Sequence, residues 1–305
     1  MIKLKGIIPP VSTLFTQERE LDKEGMKVLI DHLIASKVDG LFFLGTGGEF
    51  SQMSVSERMA TAEFAVSYIK GRVPVLIGTG STNTREAIEL SKHAQKIGAD
   101  AVVIINPYYW NLTEENLFMH YSEIAQSIKL PIVLYNFPNL TGQDLSADFV
   151  LKLVEAHPNI IGIKDTIDSI GHIREMILKV KEKHPDFSVF CGFDDHLLNT
   201  LQMGGDGTIS ASANFAPQLS VGIYQSFNNG DLKNAMRLHQ QLAILPSIYK
   251  IDSPFVNCVK EATKICGLDI STYVLPPSRE LSAEKKKQVE EILKIAKVHP
   301  STVSM

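Results

Sequence analysis

Three stretches of the chain combine reactive side chains with local features that would expose them. Ile160-Ile-Gly-Ile-Lys-Asp-Thr166 is a short apolar run that carries Lys164 toward its carboxyl end. Such a run, bounded by Pro158 and the polar Asp165 and Thr166, reads as a strand buried on both faces. An ammonium in mid-strand would lose its hydration at high cost. At a strand end beside a pocket, partial desolvation lowers the pKa and leaves the amine nucleophilic. Tyr135 heads Tyr-Asn-Phe-Pro138 at the end of the preceding apolar run. A phenol is ordinarily too weak an acid, with a reference pKa of about 10. Beside an ammonium or iminium the phenolate is favoured, so the pair can exchange protons. Gly45-Thr46-Gly47-Gly48-Glu49 offers backbone N–H groups to a small carboxylate. There Thr46 adds a hydroxyl for a proton relay, and Glu49 braces the loop.

Lysine, tyrosine and an anion-binding loop together suit Schiff-base chemistry. The amine condenses with the ketone of a 2-oxo acid, and the iminium then serves as electron sink for a carbanion at C3. That chemistry needs no external cofactor. Gly192-Phe193-Asp194-Asp195-His196 brings paired carboxylates, but no His/Asp/Glu set with ligand spacing converges on them. A metal site is therefore not expected, and a helix amino-terminal cap is the expected role of Asp194 or Asp195.

These residues need a frame that gathers strand ends. Apolar runs recur at Ile7–Val11, Leu41–Leu44, Val73–Ile77, Ala101–Ile105, Ile132–Leu134, Ile160–Ile163, Val189–Cys191 and Thr208–Ile209. Their spacing fits a strand, a crossover helix and two loops. Helical periodicity fills the intervals, with apolar residues at Met26, Leu29, Ile30, Leu33 and Ile34 in the first. Ser54 with Glu57, and Asn83 with Glu86, have the form of capping boxes. Further helices are expected over 114–127, 146–155, 169–183 and 195–203. Eight such units predict an α/β fold, a closed (β/α)8 TIM barrel with its active face at the strand carboxyl ends. A doubly wound open sheet uses the same units, but the chain has no early Gly-x-Gly-x-x-Gly turn and no Walker lysine. Four more helical segments, over 218–227, 231–245, 254–266 and 282–297, outlast the eighth strand. The expected organisation is a barrel over 1–229 and a carboxyl-terminal helical extension over 230–305, with residues 298–305 frayed.

The chain has 305 residues, 44% of them apolar, and a formal net charge of -4. That slight acidity, without a Lys/Arg cluster interleaved with aromatics, gives no footprint for nucleic acid. No apolar segment approaches the length of a bilayer span, and Met1 leads into Gly6–Val11 without the pattern of a secretory signal. Cys191, Cys258 and Cys266 show no metal-site spacing and fit a reduced, cytoplasmic setting.

Gly45-Thr-Gly-Gly-Glu49, Tyr135-Asn-Phe-Pro138, Gly162-Ile-Lys-Asp-Thr166 and Gly204-Gly-Asp-Gly-Thr-Ile-Ser210 occur in that order. In this the chain resembles the dihydrodipicolinate synthase/N-acetylneuraminate lyase family over nearly its whole length. The resemblance implies a (β/α)8 barrel with a helical extension, assembled as a homotetramer built from a dimer of dimers, and class I pyruvate-dependent aldolase or lyase activity. It implies that Lys164 forms the Schiff base and Tyr135 transfers protons. Thr46 and the Gly47 backbone would hold the pyruvate carboxylate, with Gly48 in the same loop. Tyr109 would match the catalytic tyrosine that a neighbouring subunit contributes to the proton relay, and Gly192 and Ile209 would match pocket-wall positions. Polar groups near Thr166, Ser210 and Asn214 are expected to meet the remaining hydroxyls of the substrate.

Two departures bear on the substrate. Gly47 stands where the family's synthases carry a second threonine, and Leu140 stands where they carry an arginine for the carboxylate of aspartate semialdehyde. Leucine offers none of the bidentate, charge-assisted bonds that such a group needs. The motifs Asn106-Pro-Tyr-Tyr-Trp110 and Cys191-Gly-Phe-Asp-Asp-His196 resemble the family's 2-keto-3-deoxy sugar-acid aldolase branch instead. The implied substrate is 2-keto-3-deoxygluconate or a five-carbon analogue, and the products are pyruvate with glyceraldehyde or glycolaldehyde. The alternatives are a dihydrodipicolinate synthase, an N-acetylneuraminate lyase, and an inactive oligomeric binding protein.

Overall fold

The computed structural model describes residues 3–300. Eight strands form one parallel sheet: β1 (Gly6–Ile7), β2 (Leu41–Phe43), β3 (Val75–Gly78), β4 (Ala101–Ile105), β5 (Ile132–Asn136), β6 (Ile160–Asp165), β7 (Ser188–Cys191) and β8 (Gly207–Thr208). From β2 to β8 each strand pairs with its neighbour in sequence, and β1 pairs with β8. Between β1 and β2 there is no regular ladder. Pro9 and Pro10 lack N–H donors, so the expected strand over 7–11 stops at Ile7. The seam closes instead through single bonds, Phe42 N–H to the Pro9 carbonyl and Val11 N–H to the Phe42 carbonyl. The result is the expected closed (β/α)8 barrel. Gly207 makes the other side of the seam possible, because a Cβ there would lie 1.9 Å from the Gly6 carbonyl oxygen.

The helices are α1 (Lys23–Ala35), α2 (Val55–Ile69), α3 (Thr84–Ile97), α4 (Glu114–Ser127), α5 (Pro138–Thr141), α6 (Ala147–Ala156), α7 (Ile170–Glu175), α8 (Leu197–Gln202), α9 (Pro217–Asn228), α10 (Leu232–Leu242), α11 (Val256–Ile265) and α12 (Ala283–Ile295). The apolar stripe of α1 is buried as its periodicity demands, with Met26, Leu29, Ile30 and Leu33 fully covered. Ser54 and Glu57 form the complete capping box of α2. At α3 only half the expected box exists. Asn83 accepts from Arg85 N–H, while Glu86 is drawn to the buried guanidinium of Arg58, 3.6 Å away. A buried cation without a carboxylate costs more than a lost cap bond, so the tertiary partner wins.

The helix expected over 169–183 is α7 followed by a π-helical stretch, Met176–Lys181. α10, α11 and α12 supply the expected helical extension, and α10 packs along α9. Fraying of the chain end is not what residues 298–300 show. Val298 is buried and its N–H bonds the Leu293 carbonyl, because the apolar side chain finds the core beside α12. The rest of that expectation lies outside the described residues.

Candidate active site

β5 and β6 run further than their apolar cores, to Asn136 and Asp165, so Tyr135 and Lys164 lie within the strands. They are direct partners in the parallel register. Both point into a cavity of about 220 Å³ at the carboxyl ends of the strands. Thr46, Gly47, Thr166, Gly192, Asp194 and Ile209 share its wall. A larger depression, about 480 Å³, opens at the opposite barrel end near Lys3, Ile161, His184 and Phe187, and no sequence-predicted site residue lines it.

Lys164 is 4% exposed. Its Nζ sits 4.0 Å from the Tyr135 ring centroid and 5.3 Å from that of Phe42, with no hydrogen bond among the described residues. Loss of hydration brings its pKa down to about 7, against a weaker upward pull from the Asp194 carboxylate. The amine is thus a substantial fraction unprotonated near neutrality. Tyr135 is 3% exposed, and its Oη lies 3.1 Å from Thr46 Oγ1. Burial pushes the phenol up to about 12, and the hydroxyls of Thr46 and Thr166 only partly offset this. The phenol is therefore held protonated in the free chain, where the amine faces its ring rather than its hydroxyl.

The glycine-rich loop forms a 3-10 turn over Thr46–Gly48. Gly48 and Glu49 N–H are spent on the turn's own carbonyls at Gly45 and Thr46, which leaves Thr46 and Gly47 N–H as the donors without an acceptor. A Cβ at Gly47 would meet only the Pro10 carbonyl, at 3.7 Å, so this face has room for a ligand. Gly48 does not line the cavity. It packs against the Val11 carbonyl, and its own carbonyl accepts from Thr13 Oγ1 at 2.8 Å. Glu49 braces the loop as expected. It is fully buried, pairs with Lys260 of α11 at 2.5 Å and accepts from Leu275 N–H at 2.8 Å.

Gly192 owes its identity to Thr166, since a Cβ would fall 1.9 Å from the Thr166 Oγ1. That hydroxyl is buried beside the Tyr135 phenol, without a hydrogen bond of ordinary geometry. Ser210 is buried near Asp194 and is not on the cavity wall. Asn214 is fully committed elsewhere, donating to the Pro10 and Ala211 carbonyls and accepting from Ser12 N–H. Both were expected to meet substrate. Each follows β8, but the 3-10 turn Ala211–Asn214 folds them behind the wall.

Asp194 is not a cap for its own helix. Its carboxylate accepts from Ser212 N–H at 3.1 Å and from Tyr249 Oη at 2.7 Å, and burial raises its pKa. Tyr249 and Phe255, both from the extension, complete the wall with Phe137, Asn139, Phe193 and Ala211. Phe137 and Asn139 were reachable by following the loop from Tyr135. Tyr249 and Phe255 carry no local signal, since only folding brings them to Asp194.

Tyr109 is the exception among the residues predicted to be catalytic. It is 87% exposed at φ +93°, beside Trp110 at 71%, and does not reach its own chain's cavity. Among the described residues, no group of three His, Cys, Asp or Glu side chains is placed to hold a metal ion. No helix among them is long and apolar enough to cross a membrane.

Fold and site together define a (β/α)8-barrel protein organised around a strand-end lysine. The chain belongs to the dihydrodipicolinate synthetase family, whose model matches residues 3–296. Two Escherichia coli K12 relatives are each 56% identical over 293 residues, covering 96% of this chain and 97% of their own. One, YagE, is provisionally named a 2-dehydro-3-deoxy-D-gluconate aldolase, and the other, YjhH, a 2-dehydro-3-deoxy-D-pentonate aldolase. The crystal structure of YagE in complex with pyruvate superposes with a TM-score of 0.96 at 55% identity, over 97% of this chain and 99% of that one.

Proposed function

We propose that the chain is a class I aldolase that reversibly cleaves a 2-keto-3-deoxy sugar acid to pyruvate and a short aldehyde. One observation carries the reading: a buried, partly neutral Lys164 amine lies 4.0 Å from the Tyr135 ring, whose hydroxyl bonds Thr46. The similarity to YagE and YjhH supports the substrate class.

The neutral amine adds to the C2 ketone, and a proton passes from nitrogen to oxygen to give the carbinolamine. Tyr135 protonates the departing hydroxyl, which leaves water, an iminium and a phenolate. The new cation beside the ring supplies the stabilisation that the free phenol lacks. The phenolate takes the C4 hydroxyl proton, the C3–C4 bond breaks into the iminium, and aldehyde leaves an enamine. Tyr135 returns that proton to C3, and hydrolysis of the iminium releases pyruvate and restores Lys164. Thr46 hydrogen-bonds the phenolate, while Thr46 and Gly47 N–H hold the carboxylate at C1.

The cavity wall also separates the sugar-acid reading from the synthase reading. Lys164 is its one cation among the described residues, and Leu140 is 55% exposed outside it. A second substrate carboxylate would find Asp194 and aromatic rings there, whereas polyol hydroxyls find Asp194, Tyr249, Asn139 and Thr166. We also propose a cytoplasmic homotetramer, supported by three unpaired cysteines and by the exposed Tyr109, which would join a neighbour's proton relay. Sedimentation of an active monomer would remove the tetramer.

Incubation with pyruvate and borohydride, followed by peptide mass mapping, tests the reaction class. A reduced pyruvyl adduct on Lys164 is expected; an unmodified Lys164 overturns the reading. kcat/KM for 2-keto-3-deoxygluconate, its five-carbon analogue, N-acetylneuraminate, and pyruvate with aspartate semialdehyde tests the substrate. Preference for either of the last two rejects the sugar-acid assignment.

A further inference from the structure

One residue beyond the reacting pair, the same two strands carry a second pair, Asn136 and Asp165, also in register. Side chains alternate along a strand, so this pair faces away from Tyr135 and Lys164, toward the helices. There it joins a closed ring of four side chains. Asn136 Nδ2 donates to Asp165 Oδ1 at 2.9 Å and to Asp144 Oδ1 at 2.8 Å. His172, on α7, bonds the other oxygen of each carboxylate, Nδ1 to Asp165 Oδ2 at 2.7 Å and Nε2 to Asp144 Oδ2 at 3.1 Å. Leu145 N–H closes onto Asn136 Oδ1 at 3.1 Å.

Asp165 is fully buried, and such a carboxylate persists only if it is paired. His172 between two carboxylates is held as imidazolium. Its pKa lies at about 10 because bonds to Asp144 and Asp165 outweigh the opposing effect of burial. Both imidazolium N–H groups, both Asn136 amide hydrogens and all four carboxylate oxygens are therefore engaged. Four chain segments are tied at one point: the end of β5, the end of β6, the loop before α6, and α7.

We propose that the Asn136–Asp165–His172–Asp144 ring is a positioning assembly that sets Tyr135 against Lys164 for carbon–carbon cleavage. This rests on the aldolase reading. The ring touches neither the cavity nor a reacting atom, so it acts through the relative placement of two strand ends. Imine formation uses Tyr135 only to protonate a departing hydroxyl, a proton that water can also supply, so the amount of trapped adduct depends mainly on the Lys164 nucleophile. Cleavage needs the Tyr135 hydroxyl aimed at a substrate that Lys164 already holds. Loosening β5 against β6 therefore penalises the second step more than the first.

The test is a double-mutant cycle between ring and phenol. His172→Phe keeps the ring volume and removes both bonds; Asp144→Asn alters the most exposed corner and carries the cycle if His172→Phe does not fold. In the Tyr135 background, His172→Phe is expected to lower kcat for cleavage by roughly 10- to 100-fold, the scale of a small misplacement of a catalytic group. KM and the borohydride-trapped pyruvate adduct should change less than about threefold. In a Tyr135→Phe background the same substitution should cost almost nothing further, since the placed group is already gone. Additive losses in the two backgrounds, or equal losses of adduct and cleavage, overturn the positioning role while leaving the aldolase reading intact. Absence of the adduct in the unmodified chain overturns both.

Discussion

Among the described residues two lysines are buried, one in the barrel and one in the extension, and they are put to opposite uses. Lys164 and Lys260 are both almost without solvent exposure, and each amine lies near an aromatic face, Tyr135 at 4.0 Å and Phe15 at 4.8 Å. Burial pulls both pKa values down. The difference lies in what else each amine meets. Lys260 is held by the Glu49 carboxylate at 2.5 Å and the Tyr273 carbonyl at 2.7 Å, so it is a structural ammonium between the glycine-rich loop and the extension. Lys164 has neither a paired carboxylate nor a carbonyl, only a weaker field from Asp194. Burial alone makes an amine costly; burial without a counter-charge makes it reactive.

The contrast predicts opposite outcomes for one substitution at the two sites. Lys164→Met should abolish cleavage, with kcat down by at least about 10⁴-fold as for loss of a covalent nucleophile. It should leave the melting temperature unchanged or raised, since methionine removes an uncompensated polar group. Measurable turnover in Lys164→Met would end the assignment of Lys164 as nucleophile. Lys260→Met should do the reverse to stability, lowering it by about 3–5 kcal/mol because Glu49 is left buried and unpaired. Urea unfolding of Lys260→Met at wild-type stability would dissolve the distinction between the two sites.

Smaller effects sharpen it. Tyr135→Phe should retain most pyruvate adduct and lose about 10²-fold in kcat, the range for missing general acid–base catalysis. Unchanged turnover would separate Tyr135 from the mechanism. The pH dependence follows from Lys164 itself, whose folded pKa of about 7 lies below its ordinary 10.5. Below pH 7 the amine is protonated, so the rate of adduct formation should fall about tenfold per pH unit. Between about 7 and 10.5 the unfolded chain binds the extra proton, so this group makes stability rise with pH across that window. The cost of burying the ammonium is fully present below pH 7. An adduct rate that is flat from pH 5 to 8 would show that the amine is not the titrating nucleophile.

Much of this was legible in the linear chain because it depends on local periods. The thirty-residue rhythm of apolar runs, the stripe of α1 and the Ser54–Glu57 box are written in neighbouring residues, and each formed. The order of strands then placed Lys164, Tyr135, Thr46, Gly47, Gly192 and Ile209 around one cavity. Convergence of atoms was decided by tertiary structure. Glu86 left its capping role for Arg58, Ser210 and Asn214 turned behind the wall, and Asp194 found Tyr249 instead of a helix end. The run Ile7–Val11 read as one strand, and only barrel closure showed that Pro9 and Pro10 cut it short and that the seam survives on single backbone bonds. Residue types and short-range spacing determined which groups were available for chemistry. Their protonation and partners were decided by desolvation and long-range contacts, which exist only once the barrel has closed around Lys164.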